Sequence, residues 1–527
     1  MARQLRKNPR FNQAAIAQYQ YDPKLYSQPL RLLGFKGHDK TSPLSRLPEG
    51  YARLVRDLAY RDSQYVSRDG TGVLGSAAGS AIVHAQEVIT SWGGSYPLRF
   101  TTGGVEVFQG TWQAATGTAW TTTDLHNFSM TGWNDSVVFA DDTSGIFELT
   151  FTGAFPVILR KFLAGVKHLA TFNGRIIASL DDRMQWTVKD DQTDWTGVGS
   201  GFEDLKSAPG GTPDGQTAVV PLSSDTALVI RSRSIWLMTT TGDFDAPFRP
   251  TLLTQGKGCI WPRTVAGIAG GAIWVGEDAT IWMYDQSGFT NIAPPIYKTL
   301  QVTQAVMRKA TAAYDPRWDE YRLSIPGLPV QRFNRATGMW TEDTYQFPIR
   351  SLSYATYAQP LTVDQLVGTV DSLTGAVDDL GVGVKASKMM FAMADPSRYV
   401  VLEKASTATR DVDGNAAAVA GSLRIETGYV RQQDPLHRTE VLQLITEYEC
   451  QYACTLNYYY SDDGGVTWNL LAAVPVTATT KAQQLTLDYT LDREDIQFAV
   501  ESLNVGGIKF IDFFAMTRLG GLKSDAN

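Results

Sequence analysis

The sequence contains few of the residues from which disulfide scaffolds and metal centres are built. There are three cysteines and five histidines among 527 residues. Three cysteines cannot form a disulfide framework or a Cys-rich metal site, and histidines spread from His38 to His437 do not suit a clustered metal centre. We therefore predict no metal ion and no cofactor.

Long apolar runs are also absent from the sequence. Nowhere do about 18 apolar residues follow one another, which is the length that a membrane-spanning helix needs. Residues 1–10 include basic side chains, but no apolar segment of the signal-peptide type follows them. We expect a protein without a membrane-spanning segment that is made in the cytoplasm with reduced thiols.

Charged residues make up only 19% of the chain, and their signs are unevenly distributed. Residues 1–50 contain nine lysines and arginines against three acidic residues. Their net charge of +6 leaves −13 for the rest of the chain, because the total is −7. Either this basic arm is a solvated tail or it docks against an acidic neighbour through the candidate residues Arg3, Arg6, Lys7 and Arg10.

Residues 1–80 are predicted to form an extended basic N-terminal arm and a joint. From residue 11 to residue 47 the chain is rich in Gln, Tyr and Pro and has no helical or strand period, as in a segment that lies on a neighbouring subunit. A short helix is predicted over residues 51–60. The Gly/Ser/Ala-rich stretch 69–80 lacks the Lys-Ser/Thr pair of a phosphate-binding loop and is predicted to be a flexible joint.

Residues 81–360 consist of short apolar runs that return through polar turns, which is typical of β-hairpins. Equivalent points in successive hairpins lie 39, 52, 44 and 50 residues apart, namely Val138, Ile177, Val229, Ile273 and Leu323. A degenerate repeat of about 40–50 residues built of hairpins is the pattern of propeller blades. The tryptophans of this region would pack between blades, although a carbohydrate-stacking platform is the alternative: Trp186, Trp236, Trp274, Trp282 and Trp340.

The last part of the chain has a different pattern. Residues 361–420 are rich in Thr, Val, Asp and Gly and are predicted to be an insertion or linker. Residues 421–527 alternate apolar and polar side chains in about seven segments, which indicates a C-terminal β-sandwich-type domain. The predicted fold class is all-β: a β-propeller with a C-terminal β-sandwich-type domain and an extended N-terminal arm.

The C-terminal domain contains one Asp-box hairpin, formed by Ser461, Asp463, Gly465, Thr467 and Trp468. In such a turn the carboxylate accepts hydrogen bonds from backbone amides, the glycine takes a positive φ and the tryptophan packs back on the hairpin. Sialidases carry several copies of this motif, whereas this sequence has one. The motif therefore predicts a turn and does not predict catalysis.

No constellation of residues predicts catalysis, so we do not expect an enzyme. The carboxylate pairs Asp141/Asp142, Asp181/Asp182 and Asp190/Asp191 could be glycosidase acids, but each occupies a hairpin turn, where Asp is common. Cys450 and Cys454 are expected to be buried thiols rather than metal ligands. The acidic body has no basic stripe, so DNA near it would not be gripped.

Four sequence features together resemble one protein family. They are the N-terminal segment that ends in 51–58, the pair 174–179 and 191–196, the pair 313–322 and 335–341, and the C-terminal segment 460–468. In these features the chain resembles the tail hub, or nozzle, proteins of short-tailed bacteriophages, the group that includes packaged-DNA stabilisation proteins. The resemblance covers roughly residues 50–520, and it rests on a pattern of blade segments.

The resemblance implies a structural virion protein. A family member would be a homo-oligomer, most simply a hexameric ring, in the virion tail beneath the portal and adaptor, with tail fibre proteins as further partners. Its channel would retain the packaged double-stranded DNA and let it pass during ejection, without sequence-specific binding. The alternatives are a receptor- or glycan-binding tail protein and a sialidase-like glycosidase.

Overall fold

The computed structural model describes most of the chain after residue 27. The described residues are 28–32, 36–48, 50–61, 64–91, 94–151, 157–161, 166–181, 183–204, 214–356, 388–404, 411–419, 422–430, 437–503 and 507–522. The candidate docking residues Arg3, Arg6, Lys7 and Arg10 lie outside these ranges.

The N-terminal segment is built of strands. They are β1 (Gln28–Arg31), β2 (Leu54–Arg56), β3 (Leu58–Arg61), β4 (Gln64–Ser67) and β5 (Gly70–Leu74). The predicted helix over 51–60 is therefore wrong. Asp57 adopts a positive φ of 58° between β2 and β3, which interrupts any helix, and Val55 and Leu58 are fully buried in strands instead.

The first three propeller blades follow directly. Blade I contains β6 (Ile82–Ile89), β7 (Ser95–Thr101), β8 (Gly104–Phe108) and β9 (Trp112–Ala114). Blade II contains β10 (Thr116–Gly117), β11 (Phe128–Trp133), β12 (Ser136–Asp141), β13 (Gly145–Thr150) and β14 (Val157–Lys161). Blade III contains β15 (His168–Phe172), β16 (Arg175–Ser179), β17 (Arg183–Trp186) and β18 (Gly201–Asp204).

Blades IV, V and VI are each four-stranded and antiparallel. Blade IV contains β19 (Gln216–Pro221), β20 (Thr226–Arg231), β21 (Ser234–Thr240) and β22 (Phe248–Gln255). Blade V contains β23 (Ala266–Ile268), β24 (Gly271–Val275), β25 (Ile281–Asp285) and β26 (Gly288–Asn291). Blade VI contains β27 (Thr311–Asp315), β28 (Glu320–Ser324), β29 (Val330–Asn334) and β30 (Met339–Asp343).

The seventh blade joins distant parts of the chain. It contains β31 (Ile349–Ala355), β32 (Lys388–Met393), β33 (Val400–Lys404) and, on its outer side, β5. The innermost strands β6, β11, β15, β19, β23, β27 and β31 contact one another in that order, and β31 contacts β6. The sheets therefore form a closed ring, which is a seven-bladed propeller among the described residues.

Helical structure is confined to short segments in the described part of the chain. The α-helices are α1 (Tyr297–Leu300) and α2 (Gln304–Met307), both in the connection from blade V to blade VI. Single 3-10 turns occupy Leu44–Arg46, Pro262–Thr264 and Pro294–Ile296. The fold class is all-β, as the sequence predicted.

The remaining strands belong to a two-sheet sandwich and to one separate short hairpin. They are β34 (Asp411–Val412), β35 (Ala418–Val419), β36 (Ser422–Glu426), β37 (His437–Cys450), β38 (Cys454–Ser461), β39 (Asn469–Val476), β40 (Thr479–Arg493), β41 (Gln497–Leu503) and β42 (Ile508–Leu522). One sheet has the order β3-β4-β42-β37-β40, with β1 also paired to β42. The other continues blade VI, in the order β27-β28-β29-β30-β2-β36-β41-β38-β39. The short β34–β35 hairpin stands apart from both sheets.

The observed boundaries differ from the predicted ones in three ways. Residues 70–74, predicted as part of a joint, complete blade VII by pairing with residues 400–404. Without this strand, the outer edge of β33 would expose unpaired backbone N–H and C=O groups. Residues 388–404, predicted as insertion, supply two strands of the same blade. The sandwich also includes β1–β4, so it is not confined to residues 421–527.

The cores lie between adjacent blades and between the sandwich sheets. Trp274 and Trp340 are nearly inaccessible and belong to the core shared by blades IV, V and VI. Trp186 lies in the core between blades III and IV, where Trp236 packs against it, while Trp282 flanks the larger core. Packing between blades therefore accounts for these five tryptophans.

Candidate functional site

The Asp-box hairpin connects β38 to β39 and is held by hydrogen bonds to one carboxylate. Asp463 Oδ1 accepts from the Ser461 hydroxyl at 2.8 Å and from the Val466 and Thr467 amides at 3.0 and 2.9 Å. The Thr467 hydroxyl donates to Asp463 Oδ2. Gly465 has a φ of 83°, a conformation that suits glycine.

These hydrogen bonds determine what Asp463 can do chemically. The Thr467 hydroxyl and amide, followed by Ser461, lower the pKa of Asp463 to about 2. A carboxylate with such a low pKa stays ionised at neutral pH and does not act as a general acid. Trp468 lies under the Arg424 guanidinium at 4.9 Å, which anchors the hairpin to the sandwich.

The acidic pairs in the propeller turns are also engaged locally. Asp141 Oδ1 accepts from the Thr143 amide at 2.9 Å, and its Oδ2 accepts from the Trp120 indole at 3.2 Å. Asp191 Oδ1 accepts from the Thr193 amide and hydroxyl at 2.8 and 2.7 Å. The bonds from Thr143 and Thr193 are turn hydrogen bonds of the Asx type, whereas the Trp120 indole comes from a more distant segment.

The two cysteines of the sandwich lie side by side at a hairpin. Cys450 ends β37 and Cys454 begins β38, and their Sγ atoms are 3.5 Å apart. The Cys454 thiol lowers the pKa of Cys450 to about 7. No group of three or more His, Cys, Asp or Glu residues suited to a metal ion occurs in the described part of the chain.

The most extensive polar cluster lies where blade VI meets blade VII. The Arg322 guanidinium, in β28, contacts Glu403 of β33 and pairs with Asp315 and Glu320 at 3.1 and 3.2 Å. Arg317 also binds Glu403, at 2.9 Å. Burial disfavours ionisation of Glu403, but Arg322 and Arg317 outweigh it and lower the pKa to about 2.

A second buried pair ties the N-terminal segment to this cluster. Arg68 donates to Asp57 at 2.7 Å and binds Asp411 through both terminal nitrogens at 3.0 and 2.6 Å. Its guanidinium also lies 4.2 Å from the ring centroid of Tyr345. These contacts join the β2–β5 segment, the turn after blade VI and β34 into one junction, and bidentate arginine pairs of this kind fix orientation.

A third contact attaches residues 36–40 to blade VI. Gly37 has a φ of 79° and lies so close to Trp340 that a Cβ would come within 2.5 Å of the Trp340 oxygen, so only glycine fits. Lys40 and Arg56 both bind Glu342, the latter at 3.0 Å. The described part of the N-terminal segment is thus an integral part of the fold. The sequence did not predict this, because the apolar residues of this segment do not recur with a regular helical or strand period.

The two sandwich sheets end in long edge strands. β40 has 15 residues and is bonded to β37 on one side, while β39 ends the nine-stranded sheet. Among the described residues no strand pairs with the outer side of either. Gln484, Thr486, Asp488 and Thr490 on β40 are exposed, and Leu470 on β39 is 57% exposed.

No family model and no curated protein matches the chain. Its structure is similar to that of BBS1N in its complex with ARL6DN, at a TM-score of 0.36 and 8% identity, covering 64% of this chain and 95% of that one. It is also similar to BamB from Moraxella catarrhalis, at a TM-score of 0.35 and 8% identity, covering 64% of this chain and 96% of that one. TM-scores and sequence identities this low support no argument about function. The assignment of a propeller rests on the order of the strands within the sheets and of the sheets around the ring. No helix of the described residues is long and apolar enough to cross a membrane.

Proposed function

We propose that this chain is a structural protein of a bacteriophage virion, a hub or nozzle of a short tail. It assembles into a homo-oligomeric ring, most simply a hexamer, whose channel retains double-stranded DNA and lets it pass during ejection. Its partners are the portal or adaptor and the tail fibre proteins. It is made in the host cytoplasm and performs no catalysis.

The observation that carries this proposal is the pair of open edge strands on the sandwich. An edge strand exposes unpaired backbone N–H and C=O groups, and proteins usually shorten, charge or cover such edges. β40 is 15 residues long, and β39, at the edge of the other sandwich sheet, exposes Leu470. Pairing of such edges between copies of the chain would build a ring by backbone hydrogen bonds.

The junction of buried ion pairs supports the same role. Blade VI, blade VII, the N-terminal segment and the sandwich are joined by Arg322, Glu403, Arg68 and Glu342. A rigid connection between propeller and sandwich lets a contact at the sandwich edge set the position of the propeller. The net charge of −13 outside residues 1–50 would repel DNA phosphates and let a duplex slide.

Native mass spectrometry of the purified chain tests the assembly. We expect a closed oligomer, and electron microscopy of virions should place the chain in the tail. Two proline variants, Thr486→Pro and Leu487→Pro, locate the contact, since successive amides of a strand point to opposite sides. In one of these two positions the backbone amide points away from β37. The proline variant at that position removes an outward donor of β40, and it should abolish the oligomer while preserving the melting temperature.

The other proline variant is the matched control. It breaks a hydrogen bond to β37 and should lower the melting temperature. A wild-type chain that stays monomeric at all concentrations and is absent from virions would contradict the proposal. An oligomer that survives both substitutions would exclude β40 as the contact.

A further inference from the structure

The axis of the propeller contains two chambers that meet at Pro262 and Arg263. The inner chamber, about 420 Å³ in volume, is lined by the innermost strands, including His84, His168 and Tyr314. The outer chamber, about 440 Å³, opens among the blade connections and is lined by residues such as His126, Trp261 and Arg308. Pro262 and Arg263 line both chambers and so form the neck between them, and Arg263 is the charged one of the two.

Arg263 is positioned by backbone carbonyls rather than by a carboxylate. It follows Pro262 in the turn before blade V and donates to the Leu125 oxygen at 3.1 Å and the Arg350 oxygen at 2.8 Å. Leu125 lies in the connection from β10 to β11 of blade II, and Arg350 lies in β31 of blade VII. The guanidinium therefore bridges blades II and VII through carbonyl groups, which carry no net charge to compensate it.

The neighbouring cations also lack carboxylate partners. In the described part of the chain, no ion pair is formed by Arg263, Arg308 or Arg350. The Arg350 Nε is buried without a hydrogen-bond acceptor. A buried polar group without a partner is costly, but Arg350 lines neither chamber, so its charge acts on Arg263 without contributing a ligand to the site.

One carboxylate, Asp142, lines the outer chamber beside Lys167 and Arg308, and the carboxylates of this region are engaged by other groups. Asp124 accepts from the His126 amide at 2.8 Å and from the Asn127 side chain at 2.7 Å. Asp142 lies 3.4 Å from the Asn127 side-chain nitrogen, and Lys167 is paired with Asp181. Asp124 attracts Arg263, but the repulsion from Arg350 is larger, and among the described residues none of these carboxylates forms an ion pair with Arg263.

The pKa values of two histidines near the axis are lowered by burial and by the arginine charges. Burial, followed by the charges of Arg350 and Arg263, lowers the pKa of His126 to about 4. Burial, followed by Arg263, lowers the pKa of His84 to about 3. Both imidazoles are therefore neutral at pH 7 and leave the arginines as the charges in the neck. Burial and the Arg350 charge also lower the pKa of Arg263 to about 10.

We propose that the outer chamber binds a phosphate-class oxyanion on Arg263, with Arg308 at its rim. Planar guanidinium groups bind such oxyanions through paired hydrogen bonds, and a half-enclosed chamber strengthens the attraction. The inference does not depend on the virion role, because it rests on the propeller axis alone. The phosphate could be free or could be the terminal phosphate of a nucleic acid strand.

Calorimetric titration of the full chain with inorganic phosphate at low ionic strength tests the site. We expect saturable binding that Arg263→Gln weakens at least about tenfold, as the loss of a charge-assisted hydrogen bond implies. Arg308→Gln, at an exposed rim position, should weaken it less and leave the melting temperature unchanged. Arg249→Gln, on the exposed outer strand of blade IV, is the control and should bind like the wild type.

If Arg263→Gln does not fold, phosphate binding by Arg308→Gln tests the site. Undiminished binding by both arginine variants, or no saturable binding by the wild type, overturns the proposal. Displacement of phosphate by a 5′-phosphorylated oligonucleotide, but not by its unphosphorylated form, supports the site and identifies a strand end as the source. Failure of both oligonucleotides to displace phosphate supports the site with free phosphate as the source.

Discussion

Among single residues, the buried arginines are those that most constrain this fold. Arg68, Arg231, Arg322 and Arg332 are among the largest fully buried side chains. A buried charge is tolerated only when it is paired and hydrogen-bonded, and removal of one partner leaves the other uncompensated. The sequence shows that these residues are charged, but only the structure shows that they are buried.

Replacement of Glu403 tests this view. Glu403→Gln leaves Arg322 and Arg317 without their shared carboxylate and should lower the free energy of unfolding by about 3 kcal/mol at pH 7. Urea denaturation followed by circular dichroism measures it. Asp462→Asn, which removes the exposed partner of Arg493, is the control and should cost at most about 1 kcal/mol.

The pH dependence of the same pair has a definite sign. The pKa of Glu403 is lowered to about 2 in the folded protein, so its contribution to stability is present above the ordinary glutamate pKa of about 4.3. It should be lost as the pH falls from there towards 2. The stability difference between wild type and Glu403→Gln should shrink over this window, and a constant difference would contradict the assignment.

The Asp-box carboxylate should control the order of its hairpin. Asp463→Ala removes the acceptor for the Val466 and Thr467 amides, so these amides should exchange with deuterium faster. Hydrogen-exchange mass spectrometry of the 461–468 peptide measures the change. Because the turn is exposed, the melting temperature should change little, and unaltered exchange would refute the role of Asp463.

The thiols at the β37–β38 hairpin should form a disulfide under mild oxidation. The Sγ atoms of Cys450 and Cys454 are 3.5 Å apart, and the lowered pKa of Cys450 supplies a thiolate near neutral pH. Treatment with diamide should remove two hydrogens from the peptide that contains both residues. Cys259 should stay reduced because burial raises its pKa to about 12. Persistence of both free thiols would contradict this expectation.

At the scale of elements, local alternation predicted the hairpins well. The segments around Val138, Ile177, Val229 and Ile273 each form a hairpin of adjacent strands, and seven strands follow residue 421. The partners of β2 and β5 could not be predicted in this way. Both are short, and their hydrogen-bonding neighbours lie hundreds of residues away in the sequence.

The closing strand of the propeller can be tested directly. Leu74 on β5 is 1% exposed and packs in the core of blades VII and I, so Leu74→Ala should lower the free energy of unfolding by about 2–5 kcal/mol. Leu253→Ala on the exposed outer strand of blade IV is the matched control and should change it by less than about 0.5 kcal/mol. Equal effects of the two substitutions in urea denaturation would rule out a buried closing strand.

At the scale of the whole molecule, the propeller and the sandwich share one sheet. β2 pairs with β30 of blade VI and with β36 of the sandwich, and Glu342 binds Lys40 and Arg56 across that boundary. We therefore expect a single unfolding transition in differential scanning calorimetry. Glu342→Gln should weaken the boundary and separate the transition into two, and two transitions in the wild type would contradict a shared sheet.

Local sequence patterns suffice to predict the all-β class, the propeller repeat, the sandwich and the Asp-box turn, because each depends on residues close together in the chain. The blade count, the strand role of residues 54–74 and the position of Arg263 at the neck of the axis emerge from the folded chain. Those features depend on contacts between residues that are far apart in the chain, and no local period records such a contact. The pairing of β5 with β33 is the clearest case, since a stretch of small residues forms a strand there by hydrogen bonding to a segment more than 300 residues away in the sequence.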